Sequence, residues 1–144
     1  MATVKTDTTF EVYLNELDEK DQDTIIRLDQ MLTKQFGRDN RNIWEGKFWG
    51  GSQQQIIGYG EIPIKGKTDE IWFMVGLARQ KAYFSMYVNA VEDKTYLAKK
   101  YQDQLGKVKV GSSSISFKQF DDIDLPTLEK VFNIAYQQWL EIKQ

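Results

Sequence analysis

Hydrophobic and polar positions change period along the chain, and the sharpest strand-like pattern falls at residues 70 to 88, EIWFMVGLARQKAYFSMYV. Two apolar runs rich in β-branched and aromatic residues flank the polar link Ala78-Arg79-Gln80-Lys81, which predicts an antiparallel hairpin. Symmetric pairing about that link sets Leu77 opposite Ala82. Because side chains alternate faces, Ile71, Phe73, Val75 and Leu77 then share one face with Val88, Met86, Phe84 and Ala82, and that face must be covered. The other face carries Trp72 with Tyr87, Met74 with Ser85 and Gly76 with Tyr83. Flat aromatics beside small residues and hydroxyls describe either a second buried layer or a groove floor with a slot at Gly76.

Helical spacing brackets this hairpin. Phe10, Leu14 and Leu17 recur at helical intervals, Asp18 is placed to cap a second helix, and Ile25, Leu28, Leu32 and Phe36 form its apolar stripe up to the stop at Gly37. Residues 38 to 55 are polar and glycine-containing, so a loop is expected there, carrying Trp44, Phe48 and Trp49 as core lid or groove wall. IIGYG at 56 to 60 and Ile62-Pro63-Ile64 follow, then the polar turn KGKTDE. Beyond the hairpin, EDKTYLAKKYQDQLG predicts a helix stopped at Gly106, and SSSISFKQF predicts a half-exposed strand with Ile115 and Phe117 inward and Lys118 outward. Asp124 and Pro126 open a closing helix whose Leu125, Leu128, Phe132, Ala135, Trp139 and Ile142 repeat at three-four spacing. A helical start, three or four strands centred on the hairpin, a helix, another strand and a closing helix make an α+β sandwich with the N-terminal and C-terminal helices on one face. Residues 1–7 are expected to be a disordered or extended tail and 8–144 a single domain.

Composition narrows the chemistry. The 144 residues contain neither cysteine nor histidine, which removes thiolate nucleophiles, sulfur metal sites, histidine triads and histidine-held zinc. Any metal would be held by oxygen ligands, and any acid-base work would fall to Asp, Glu, Lys or Tyr. A net charge of −2 argues against a partner that is nucleic acid, and no run of membrane-spanning length or signal-peptide core is present, which places the protein in the cytoplasm without a membrane partner. Gly58 and Gly60 lack a third glycine at dinucleotide-loop spacing, and Gly46-Lys47 is followed by Phe48, so neither nucleotide motif is formed.

IIGYG, the Trp72-Phe73 pair in a strand ending GLARQK, SMYV at 85 to 88, LGKVKVGSSSISF at 105 to 117 and DDIDL at 121 to 125 together resemble the YdhG-like family, a domain of unknown function. The Ile-Gly-aromatic-Gly element, Lys81 and the Gly-Lys-x-Lys-x-Gly run are the most specific marks. Where members usually show Ser-Pro-Arg-Lys at the hairpin link this chain keeps only Lys81, and Ser112-Ser113-Ser114 replaces a frequent Lys-Ser-Cys. The resemblance implies a fold similar to frataxin, and one relative has been proposed as an intracellular iron chaperone. No catalytic residue is implied.

Two functions of different class are therefore expected. The first is a non-enzymatic binding protein that holds iron weakly on Glu16, Asp18, Glu19, Asp21 and Asp23, or docks a partner protein on the mixed sheet face; the bland alternative for those acids is a solvated helix start that complements the helix dipole. The second is a site for a small anionic ligand, enzymatic or not, built from Trp44, Tyr59, Trp72, Gly76, Tyr83 and Tyr87 with Lys81, Lys107 and Lys109.

Overall fold

The computed structural model describes residues 4–47, 53–63 and 71–143. Helix α1, Phe10–Asn15, starts where the Thr9 hydroxyl accepts the Val12 N–H, and α2, Glu19–Phe36, runs from Asp18 to Gly37, whose φ of 85° suits a residue without a side chain. Four strands follow as a meander: β2 at Arg41–Lys47, β3 at Gln53–Pro63, β4 at Ile71–Arg79 and β5 at Phe84–Val88. Within the expected tail, β1 at Val4–Lys5 pairs with β2. After β5 come a small hairpin, β6 at Val91–Glu92 and β7 at Thr95–Tyr96, one helical turn, α3 at Leu97–Lys100, and two further strands, β8 at Lys109–Val110 and β9 at Ser114–Phe117. Helix α4, Leu125–Lys143, closes the order; Asp124 accepts the Thr127 N–H at its start.

Among the described residues seven strands form one antiparallel sheet in the order β1-β2-β3-β4-β5-β9-β8, more than the four or five expected. The chain is α+β, with α2 and α4 on one face. Their stripes, Ile25, Leu28, Leu32 and Phe36 with Leu128, Phe132, Ala135 and Trp139, bury against Ile43, Ile57, Val75, Leu77, Phe84, Met86 and Val88. Ile142, expected on the α4 stripe, is 45% exposed. Among the described residues no helix is long and apolar enough to cross a membrane.

Three further expectations are corrected. Residues 38 to 55 are not one loop, because Arg41–Lys47 pairs with Gln53–Tyr59 rung for rung; Phe48, Trp49 and the KGKTDE turn lie outside the described residues. The helix expected over 92 to 106 is a tight hairpin turn followed by one helical turn, since Asp93 and Lys94 take φ of 53° and 65°, conformations that no glycine announced. The β4–β5 register is shifted as well: Leu77 pairs with Met86 and Val75 with Val88, which moves the link to residues 80 to 83 and leaves Ala82 exposed. Each residue's partner lies four positions from the expected one. An even shift keeps every side chain on its face, so the two-sided pattern survives the wrong register.

Phe73 and Met74 break the pattern for a different reason. The β3–β4 ladder runs through Tyr59↔Val75 and Glu61↔Phe73 but lacks the rung between them, where Gly60 has φ of 77° and the carbonyls of Phe73 and Met74 accept from Asn89 instead. Both strands turn over at that point. Met74 therefore joins the helix-covered core, while Phe73 crosses to the opposite face, and Ile71, past the crossover at the strand end, is 36% exposed.

Candidate functional site

The sheet face turned away from α2 and α4 carries its own apolar cluster, Trp44, Ile56, Phe73 and Ala78, with Trp72 and Tyr87 packed against it. All six belong to strands. The registers Gly58↔Gly76 and Gly76↔Tyr87 set two glycines side by side in this face, and the space above them is occupied. A β-carbon on Gly58 would lie 2.4 Å from Trp44 Nε1, and one on Gly76 would lie 2.5 Å from the Phe73 ring. The rings interlock: Trp72 stacks on Phe73 at 4.4 Å between centroids, and Trp44 meets Phe73 edge-on at 5.5 Å. The slot expected at Gly76 is therefore filled by the protein's own phenyl ring.

Tyr87 extends this layer. Gln80 Nε2 donates to the Tyr87 hydroxyl at 3.1 Å and to Gln54 Oε1 at 2.9 Å, which joins the start of the link to β3 across Ala78 and the buried Ser85. Burial pushes the Tyr87 phenol above its ordinary range, although hydrogen bonds with Ser85 and Gln80 oppose it. Tyr59 does not belong here. It is fully buried on the helix side, where its hydroxyl donates to Asp29 at 2.6 Å while Arg41 Nη1 donates to the other Asp29 oxygen at 2.7 Å. Burial, with the Asp29 charge adding to it, raises the Tyr59 phenol well above its usual value. Tyr59 ties β3 to α2 and walls no groove.

Tyr83, Lys107 and Lys109 meet at the far edge of the sheet. β8 and β9 share two rungs, Lys109↔Ser116 and Val110↔Ile115; continued, the same register would pair Val108 with Phe117 and Lys107 with Lys118. The strands part instead. Gly106, at φ of 103°, bridges to Ile123, and the Lys107 N–H donates to the Asp122 carbonyl at 2.8 Å, so the chain is drawn toward residues 120 to 124. Only glycine fits, since a β-carbon would sit 2.3 Å from that carbonyl oxygen. The resulting fork is a concavity of about 570 Å³ whose lining includes Lys107, Lys109, Lys118, Val108, Phe117, Tyr83 and Asp122.

Tyr83 is 41% exposed at this rim, and Lys81 is exposed in the same link. The structure thus joins Tyr83, Lys107 and Lys109, places Trp44, Trp72, Gly76 and Tyr87 in the aromatic layer, and sends Tyr59 to the core. Lys118 and Phe117 were not singled out as site residues from sequence. Their alternation with Ile115 and Ser116 was legible, but the parting of β8 from β9 that turns them into a wall has no local signature other than Gly106.

The acidic residues at the start of α2 are dispersed. Glu16 ends α1, Asp18 and Glu19 open α2, Asp21 pairs with Arg79 at 2.8 Å and Asp23 pairs with Arg27 at 3.2 Å. Among the described residues no three Asp or Glu side chains converge as a metal site would require. Compared with family models, curated proteins and solved structures, the chain matches none.

Proposed function

We propose that this is a cytoplasmic binding protein for a small anionic ligand with a flat apolar part, such as an aryl carboxylate or aryl phosphate, held in the β8–β9 fork. The observation that carries the reading is the gathering of Lys107, Lys109 and Lys118 around a concavity that also has Phe117, Val108 and Tyr83 in its wall. Three ammonium groups supply the charge complement, each worth about 1 kcal/mol at contact distance in water, while the aromatic and aliphatic walls accept a ring. A volume of about 570 Å³ suits a small molecule. The Gly-Lys-x-Lys-x-Gly run that carries much of the YdhG-like resemblance is also the stretch that builds one wall of the fork, which favours a site there. Iron handling, which the resemblance implies, would have to draw Asp21 away from Arg79 and Asp23 away from Arg27.

Titration with phenyl phosphate, followed by backbone amide shifts, tests the proposal. Saturable shifts are expected at residues 106 to 109, 116 to 118 and Tyr83, weakened about tenfold in the Lys107→Ala/Lys109→Ala variant and weakened further by added salt. Benzyl alcohol should cause none of them. Absence of shifts up to about 10 mM phenyl phosphate, or shifts indifferent to the lysine variant, would remove the reading.

A further inference from the structure

Arg79, the last residue of β4, makes more directed contacts than a strand-end arginine needs for solubility. Its Nε donates to Asp21 Oδ2 at 2.8 Å, and its Nη1 donates to the carbonyls of Gln80 and, at 2.9 Å, Tyr83. The guanidinium lies over the Phe84 ring at 5.0 Å, and the Arg79 backbone N–H donates to the Tyr13 hydroxyl at 2.9 Å. The Tyr83 carbonyl in turn accepts a second bond, from the Gln80 N–H at 2.7 Å. Asp21 and Arg79 side chains are only about one-fifth exposed, so this ion pair is shielded from water far better than Asp23–Arg27, whose side chains are more than half exposed.

The consequence is a strut from the start of α2 to the rim of the fork. We infer that Arg79, oriented by Asp21, is the positioning residue that fixes the 80 to 83 link and so aims Tyr83 into the anion site; the inference rests on the anion-binding reading above. An exposed link held by one backbone hydrogen bond would sample several conformations. A planar guanidinium that serves a carboxylate on one side and two carbonyls on the other leaves one. Asp21, singled out in sequence as a possible metal ligand, acquires a different role: it is the anchor of that strut. A lysine cannot substitute, because a single ammonium on a flexible stem cannot present the same fork of donors.

Two measurements on three variants test this. Exchange of the Gln80 amide reports the link directly, because its acceptor is the Tyr83 carbonyl, and phenyl phosphate affinity reports the site. Asp21→Asn and Arg79→Lys should each speed Gln80 exchange about tenfold and weaken phenyl phosphate binding several-fold, while amides in the β3–β4 ladder exchange as in the wild type. Asp23→Asn, which removes a carboxylate two positions away, should change neither. Unchanged Gln80 exchange in Asp21→Asn, or a loosened link with undiminished phenyl phosphate affinity, overturns the inference. If the wild type itself binds no phenyl phosphate, the anion reading fails, and Gln80 exchange alone then decides: faster in Asp21→Asn upholds the strut, equal rates overturn it.

Discussion

Gly76 owes its identity to a ring that occupies the place of its side chain. With Phe73 Cε1 2.5 Å from where a β-carbon would stand, Gly76→Ala forces the ring to move, a steric conflict worth about 1–3 kcal/mol. Phe73→Ala empties the same volume from the other side, at a cost of about 3–5 kcal/mol. Because the two changes act on one space, the double variant should be distinctly more stable than the sum of the single losses predicts, as measured by urea denaturation of all four proteins. Strict additivity would mean that the ring does not cover Gly76. The fate of such residues was only partly legible in the sequence: alternation assigned Val75, Leu77, Phe84 and Met86 to the covered face, but aromatic chemistry alone could not divide Tyr59 from Tyr87. Tyr59 shares its parity with Ile57, which points to the core.

Among the elements, those with a strong period were legible and those made by context were not. α2 and α4 carry apolar stripes that begin after Asp18, which takes the N-cap position without a side-chain capping bond, and after Asp124, which accepts the Thr127 N–H, so their extents follow from local residues. β2 hides its strand character because Ile43 and Trp44, adjacent in sequence, are buried on opposite faces, which erases the alternation that a one-sided strand would show. The fork between β8 and β9 depends on tertiary contacts with residues 120 to 124, and its one local requirement is Gly106. Gly106→Ala should therefore break the bridge to Ile123, raise the exchange rate of the Lys107 amide and abolish phenyl phosphate shifts at the fork, for a stability loss of about 1–3 kcal/mol. Retained exchange protection at Lys107 would show that the strands part for some other reason.

For the molecule as a whole, buried phenols set an alkaline limit. Burial pushes the Tyr13 phenol up to about 12 and raises that of Tyr59 well above its normal range. Below about pH 10 both folded and unfolded chains keep these protons; above it the unfolded chain releases them while the folded one holds them, so stability falls as pH rises from about 10 toward 12. Tyr13 alone accounts for about 2–3 kcal/mol of that loss. Urea denaturation at pH 8 and pH 11 should show the decline, and Tyr13→Phe should make it shallower; a pH-independent midpoint would contradict it.

The arrangement of α4 also bears on how the chain reaches this state. The β2 to β5 meander is assembled from sequence neighbours and closes by short steps, whereas α4 must return from beyond residue 124 to lie beside α2 on β3 and β4. During synthesis the strand faces that carry Ile57, Val75 and Leu77 are made long before their second helix. Until α4 leaves the ribosome, that apolar surface has only half its roof, and the nascent chain is most open to wrong partners in the interval after β5 has emerged and before α4 has.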